Sequence, residues 1–99
     1  MEEGKITIFW RSSAIKSLES IYNYIAESNP LNAASFTERM ICFGEALAVF
    51  PDKFGLCRFE ILAKRNFHCA VFEKNYMFIF KVVEAKVIIY KIVHVSRLK

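Results

Sequence analysis

Four apolar runs fill the second half of the chain, and the gaps between them are too short for anything but hairpins. They are CRFEIL (57–62), FHCAVF (67–72), YMFIFKVV (76–83) and KVIIYKIVHV (86–95), separated by AKRN, EKN and EA. Links of this length cannot carry the crossover that parallel strands need, so the runs predict a four-stranded antiparallel meander. With Glu84-Ala85 as the last turn, Tyr76, Phe78, Phe80 and Val82 share a face with Val87, Ile89, Lys91, Val93 and Val95. The other face then carries Met77, Ile79, Lys81, Ile88, Tyr90, Ile92 and His94. A half-exposed sheet alternates apolar with polar, whereas both faces here are substantially apolar.

The first half supplies cover for one face only. Residues 5–10, KITIFW, are β-branched and aromatic and read as a short strand. Ser12 or Ser13 is placed to cap a following helix. In that helix Ile15, Leu18, Ile21, Tyr22 and Ile25 recur at three- and four-residue steps. Asn29-Pro30 ends it, because the residue before proline is pushed out of helical geometry and proline suits the first turn of a new helix. A second helix over roughly 31–49 presents Ala33, Phe36, Met40, Phe43, Leu47 and Phe50. Gly44 in its middle suggests close approach of the first helix. The short link makes an antiparallel helical hairpin, and the loop FPDKFG (50–55) leads into the strands.

The expectation is one α+β domain, 1–99: an N-terminal strand, an antiparallel helical hairpin, then the four-stranded antiparallel meander, which the first strand joins at an edge. Two helices cannot shield both faces of such a sheet. The second face is therefore expected to receive another polypeptide, either a foreign chain or a second copy in a homodimer. The hydrophobic share of 55% fits that reading.

Charge is divided unevenly. Residues 1–50 carry four Lys/Arg and six Glu, a net of −2; residues 51–99 carry ten Lys/Arg and four Asp/Glu, a net of +6. The basic half suits an anionic or acidic partner. No apolar stretch approaches the ~20 residues of a membrane span, and MEEGK lacks the features of a secretory leader. Cys42, Cys57 and Cys69 form no CxxC pair, so neither a disulfide framework nor a metal site is expected, no cofactor is implied, and a reducing cytoplasm fits.

Several motifs together resemble one family. They are W..SA...L..IY.YIA over 10–26, NP..A..F over 29–36, L..FP..FG over 47–55, the strand YMFIFKV, and IVHVSR over 92–97. In this order and spacing they resemble the RelE/ParE superfamily of toxins from type II toxin–antitoxin modules. The resemblance implies a small cognate antitoxin, with an extended, partly helical segment wrapped over the open sheet face, here Met77, Ile79, Ile88, Tyr90 and Ile92.

Two activities divide that superfamily. RelE-like members cut mRNA in the ribosome, and ParE-like members poison DNA gyrase. Cutting RNA through its own 2′-OH needs a proton acceptor, a proton donor and cations around the phosphate. For that chemistry the candidates are Arg65, His94 and Arg97. Against it, Met77 stands where ribonuclease branches carry a phosphate-binding arginine, and a thioether cannot stabilise a phosphorane. Residues 36–50 hold a single basic residue, Arg39, and HVSR resembles the ParE ending. The sequence therefore favours a ParE-like gyrase inhibitor that touches its target through Lys64, Arg65, Lys81, Lys91 and Arg97. A ribosome-dependent mRNA endonuclease and an inactive homodimer are the alternatives. His68 beside Cys69 reads as a packed or edge histidine.

Overall fold

The computed structural model describes residues 6–49, 56–57 and 59–95. Its elements in chain order are β1 (Thr7–Trp10), α1 (Ser12–Ala26), α2 (Pro30–Ala46), α3 (Glu60–Lys64), β2 (His68–Phe72), β3 (Tyr76–Val83) and β4 (Lys86–His94). The strands form one sheet in the order β1-β4-β3-β2. β1 lies parallel to β4, and the other two pairings are antiparallel. The α+β architecture matches the expectation, with three meander strands instead of four.

The run 57–62 is where sequence and structure part. Leu56 makes only an isolated bridge to His68, and residues 60–64 form α3. Glu60, Leu62, Ala63 and Lys64 are all good helix formers, and Glu60 pairs with Lys64 one turn on at 3.5 Å. Asn66 then takes a left-handed φ of 65°. Its N–H donates to the Ala63 carbonyl and that of Phe67 to Leu62, the pattern of a Schellman stop, in which asparagine tolerates the left-handed position.

The helical hairpin follows its breakers. Asn29 caps α2 by accepting from the Asn32 N–H at 3.0 Å, with Pro30 at the first helical position. Neither Ser12 nor Ser13 caps α1 as expected: Arg11 occupies the capping position without a side-chain bond. Ser13 Oγ donates to the Tyr90 carbonyl, and Ser17 Oγ accepts from the Ile92 N–H at 3.4 Å. α1 is thereby laid along β4 beyond the point where β1 ends.

One face of the sheet packs on the helices. Phe78, Phe80, Val87, Ile89, Ala14 and Met40 are fully buried there, with Leu18, Ile21, Phe36 and Phe43 packed around them. Ile15 and Tyr22, expected on the inner face of α1, are exposed, while Ala14 lies inside. Gly44 admits Trp10, not the first helix: a Cβ at Gly44 would lie 2.5 Å from the indole ring and 3.2 Å from Phe78. The indole N–H of Trp10 donates to Glu45 at 3.1 Å, fixing the ring over that gap. Phe50, expected to continue this face, and the loop 50–55 lie outside the described residues.

Across the hairpins, Val83 pairs with Lys86, which makes Glu84-Ala85 the two-residue turn the sequence suggested. Glu84 adopts φ 54° there. The expected faces change along β4, because Phe80 pairs with Ile89 but Ile79 pairs with Lys91. Tyr90 is the extra residue of a β-bulge, and a bulge exchanges the faces of everything beyond it. Ile92 and His94 therefore turn to the helix side, paired with Phe78 and Tyr76, and Lys91 and Val93 turn outward with Ile79 and Met77.

A disulfide joins Cys57 to Cys69, with Cα atoms 4.8 Å apart, contrary to the expectation of none. Spacing conceals the pair: the two residues are 12 apart in sequence, and they meet only because the chain doubles back through α3. Cys42 is free and exposed.

Candidate functional site

The face of the sheet turned away from α1 and α2, the outer face, collects most of the residues that the sequence singles out. It is built from alternate positions of β3 and β4 and from the ends of β1 and of the segment preceding β2. Its centre is a stack of two cations and two rings. Lys81 Nζ lies 4.6 Å from the centre of the Phe67 ring and 5.8 Å from that of Tyr90. The Arg11 guanidinium lies 4.7 Å from Tyr90. Phe67 and Tyr90 meet edge to face at 4.9 Å. The rings hold the cations by their electron-rich faces, at about 0.5–1 kcal/mol per partly exposed contact. This fixes two positive charges on one surface. Lys91, exposed and outward after the bulge, adds a third.

This face is less bare than the sequence implies. Met77 is 6% exposed and Ile79 7%. Cys69 pairs directly with Ile79, which puts the disulfide on the same face beside it. Of the five residues expected to meet an antitoxin, Met77 and Ile79 are thus already covered, and Ile92 lies in the core on the helix side. Ile88 and Tyr90 are half-buried on the outer face. Phe9, next to them on β1 as the partner of Ile88, is 56% exposed.

The target-contact candidates separate into two sites. Lys81 and Lys91 stand on the outer face. Lys64 and Arg65 are exposed at the end of α3, with Lys64 paired to Glu60. Arg97 lies outside the described residues.

Of the three nuclease candidates the structure describes Arg65 and His94, and it does not bring these two together. Arg65 precedes the His68 end of β2, which pairs with Phe80, whereas His94 pairs with Tyr76 at the far end. Four residues of strand separate those levels, about 13 Å at ~3.3 Å per residue. His94 also faces the helix side, where its ring meets Tyr76 edge to face at 5.1 Å. There it lines a groove of about 1040 Å³ between α1 and β4, with Ser13, Lys16, Ser20 and Tyr24 also on its walls. His68 stacks on Phe80 at 5.5 Å, a packed histidine.

Elsewhere the electrostatics are structural. Arg39 of α2 grips Glu73 of the β2–β3 turn with both Nε at 2.9 Å and an Nη at 3.3 Å. Hydrogen bonding to Glu73 holds the Arg39 pKa above its ordinary value. Among the described residues no cluster of three or more His, Cys, Asp or Glu is arranged to hold a metal, and no helix is long and apolar enough to cross a membrane.

Arg11 and Phe67 escaped the sequence reading. Arg11 sits in the acidic half and Phe67 at the start of an expected strand, and the pairing of β1 with β4 and the fold-back after α3 bring them to one place.

Compared with known families, residues 8–99 match the model for the ParE toxin of type II toxin–antitoxin systems, parDE. The chain belongs to the ParE toxin family. It is thus the toxin component of a type II toxin–antitoxin system, within the RelE/ParE superfamily that its motifs resemble. A solved structure described as the chromosomal ParDE TA system from P. aeruginosa shares the fold, with a TM-score of 0.80. The match covers 93% of this chain and 98% of that one at 15% identity, a level at which the likeness speaks for the ParE fold alone. No curated protein matches the chain.

Proposed function

We propose that this ParE-family toxin inhibits DNA gyrase by binding, without chemistry of its own, and that a small cognate antitoxin neutralises it in the cytoplasm. The observation that carries the reading is the stack of Arg11, Tyr90, Lys81 and Phe67. It is a preorganised cationic surface, with the Lys81 ammonium over the Phe67 ring and the Arg11 guanidinium over Tyr90. Preorganised charge steers and orients an acidic partner. Acid–base cleavage of RNA asks instead for groups within hydrogen-bond reach of one phosphate, and Arg65 and His94 stand at opposite ends of the sheet.

The target surface comprises Lys81, Lys91 and Arg11, extended by Lys64, Arg65 and Arg97. The antitoxin covers Ile88, Tyr90 and the apolar neighbour Phe9. Tyr90 belongs to both sets, so an antitoxin seated there occludes the cations it holds. Neutralisation is then steric.

Expression alone and together with the adjacent small reading frame tests this. Expression alone should arrest growth, with filamentation and DNA damage, and co-expression should restore growth and yield a co-purifying complex. Rapid mRNA loss that His94→Ala abolishes would favour the ribonuclease reading. Normal growth of cells making soluble solitary protein would favour an inactive homodimer.

A further inference from the structure

The disulfide ties down the part of the chain that the core does not hold. Cys57 is 4% exposed and Cys69 partly exposed. Between them lies α3, in which no residue is buried. Ile61 is 74% exposed, and Glu60, Lys64, Arg65 and Asn66 are exposed as well. The hydrogen bonds that shape α3 are mostly internal to it. Among the described residues its ties to the rest of the chain include the Cys57 N–H to Phe67 carbonyl bond, the Leu56–His68 bridge, the Phe67 ring and the disulfide. A cross-link that closes a loop restricts most where little else does.

The main hydrophobic cluster, in contrast, lies apart from the bond. The cluster of Phe78, Phe80, Val87, Ile89, Met40 and Leu47 includes neither cysteine. A reduced chain would keep that cluster and gain freedom in one surface segment. We propose that Cys57 and Cys69 are a reversible thiol–disulfide site whose state sets the order of α3 and of the Lys64-Arg65 pair it presents.

The chemistry balances by exchange. A thiolate of a dithiol reductant attacks the more accessible Cys69 sulfur. The S–S bond breaks and Cys57 leaves as a thiolate. The reductant's second thiolate then displaces Cys69 and leaves as a disulfide, so two electrons pass to the cystine and two protons end on its sulfurs. In the reverse direction, one cysteine thiolate attacks a low-molecular-weight disulfide such as oxidised glutathione. The other cysteine resolves the mixed disulfide, and two glutathione thiols are released. Attack through Cys69 leaves the buried Cys57 as the resolving group.

The test uses the full chain carrying Cys42→Ser, so that the exposed third thiol takes no part. The protein is equilibrated in reduced and oxidised glutathione, the thiols are counted by alkylation and mass, and trypsin cleavage after Lys64 and Arg65 is timed. The expected result is two thiols that appear and disappear together, far-UV circular dichroism that keeps the signal of the sheet and the two long helices, and cleavage on the order of tenfold to a hundredfold faster in the reduced state. A Cys57→Ala/Cys69→Ala variant should be cut at the reduced rate under all conditions. If that variant does not fold, the glutathione titration of the parent still decides the matter. Equal cleavage rates in the two states, failure of oxidised glutathione to restore the bond, or global unfolding on reduction would each overturn the proposal. None of these readouts involves growth or gyrase, so the result stands apart from the toxin reading.

Discussion

Lys81 Nζ stands over the Phe67 ring at 4.6 Å, although Lys81 belongs to β3 and Phe67 to the disulfide-closed segment that precedes β2. The ammonium is held where a target can meet it, and the ring that holds it comes from the segment after α3. Replacing Lys81 by glutamine removes the charge and keeps most of the stem. The fold should lose no more than about 1 kcal/mol, while gyrase inhibition should weaken by roughly tenfold, equivalent to ~1.4 kcal/mol of binding. Urea unfolding beside a supercoiling titration separates the two effects. An unchanged inhibition curve would remove Lys81 from the target surface.

Tyr90 should show a different signature. Tyr90→Ala deletes the ring that Arg11 and Lys81 share, so antitoxin affinity and gyrase inhibition should both fall. Tyr90→Phe keeps the ring and should keep both. Paired titrations with antitoxin and with gyrase check this, and a variant that loses only one partner would separate the two surfaces.

Gly44 sets two magnitudes against each other. Alanine in mid-helix is worth about 1 kcal/mol over glycine. The added methyl, however, would stand 2.5 Å from an indole that Glu45 and Phe78 hold in place. Overpacking of this kind costs about 1–3 kcal/mol, so Gly44→Ala should be destabilising on balance. A higher urea midpoint for Gly44→Ala would show that Trp10 yields.

Glu84 occupies a left-handed conformation at φ 54° in a two-residue hairpin turn. Such a position costs a side-chain residue about 1–2 kcal/mol, and glycine recovers part of that against its greater freedom when unfolded. Glu84→Gly should raise stability by about 0.5–1 kcal/mol, read as a higher melting temperature with unchanged activity.

Much of the architecture was legible because breakers and turn lengths are local. Asn29-Pro30 separates the helices as read, and the two- and three-residue links give the hairpins. What stayed hidden depends on contacts between distant residues. A single extra residue at Tyr90 carries Ile92 from the expected open face into the core and brings Lys91 out. Nothing in the alternation of KVIIYKIVH marks where that residue falls. The run 57–62 has the apolar spacing of a strand, but its helix-forming residues and the left-handed stop at Asn66 prevail. The basic face was half visible: Lys81 and Lys91 stand out in apolar strands, whereas Arg11 joins them only through the parallel pairing of β1 with β4.

The central claim is that this toxin acts on gyrase by binding. The most direct measurement is plasmid supercoiling by purified gyrase with the purified chain added in increasing amounts, followed by the antitoxin. Supercoiling should stop, cleaved plasmid should accumulate, and the antitoxin should restore activity while mRNA on ribosomes stays intact. Gyrase that works normally under a large molar excess of toxin, with ribosome-bound mRNA cut in the parallel reaction, would contradict it.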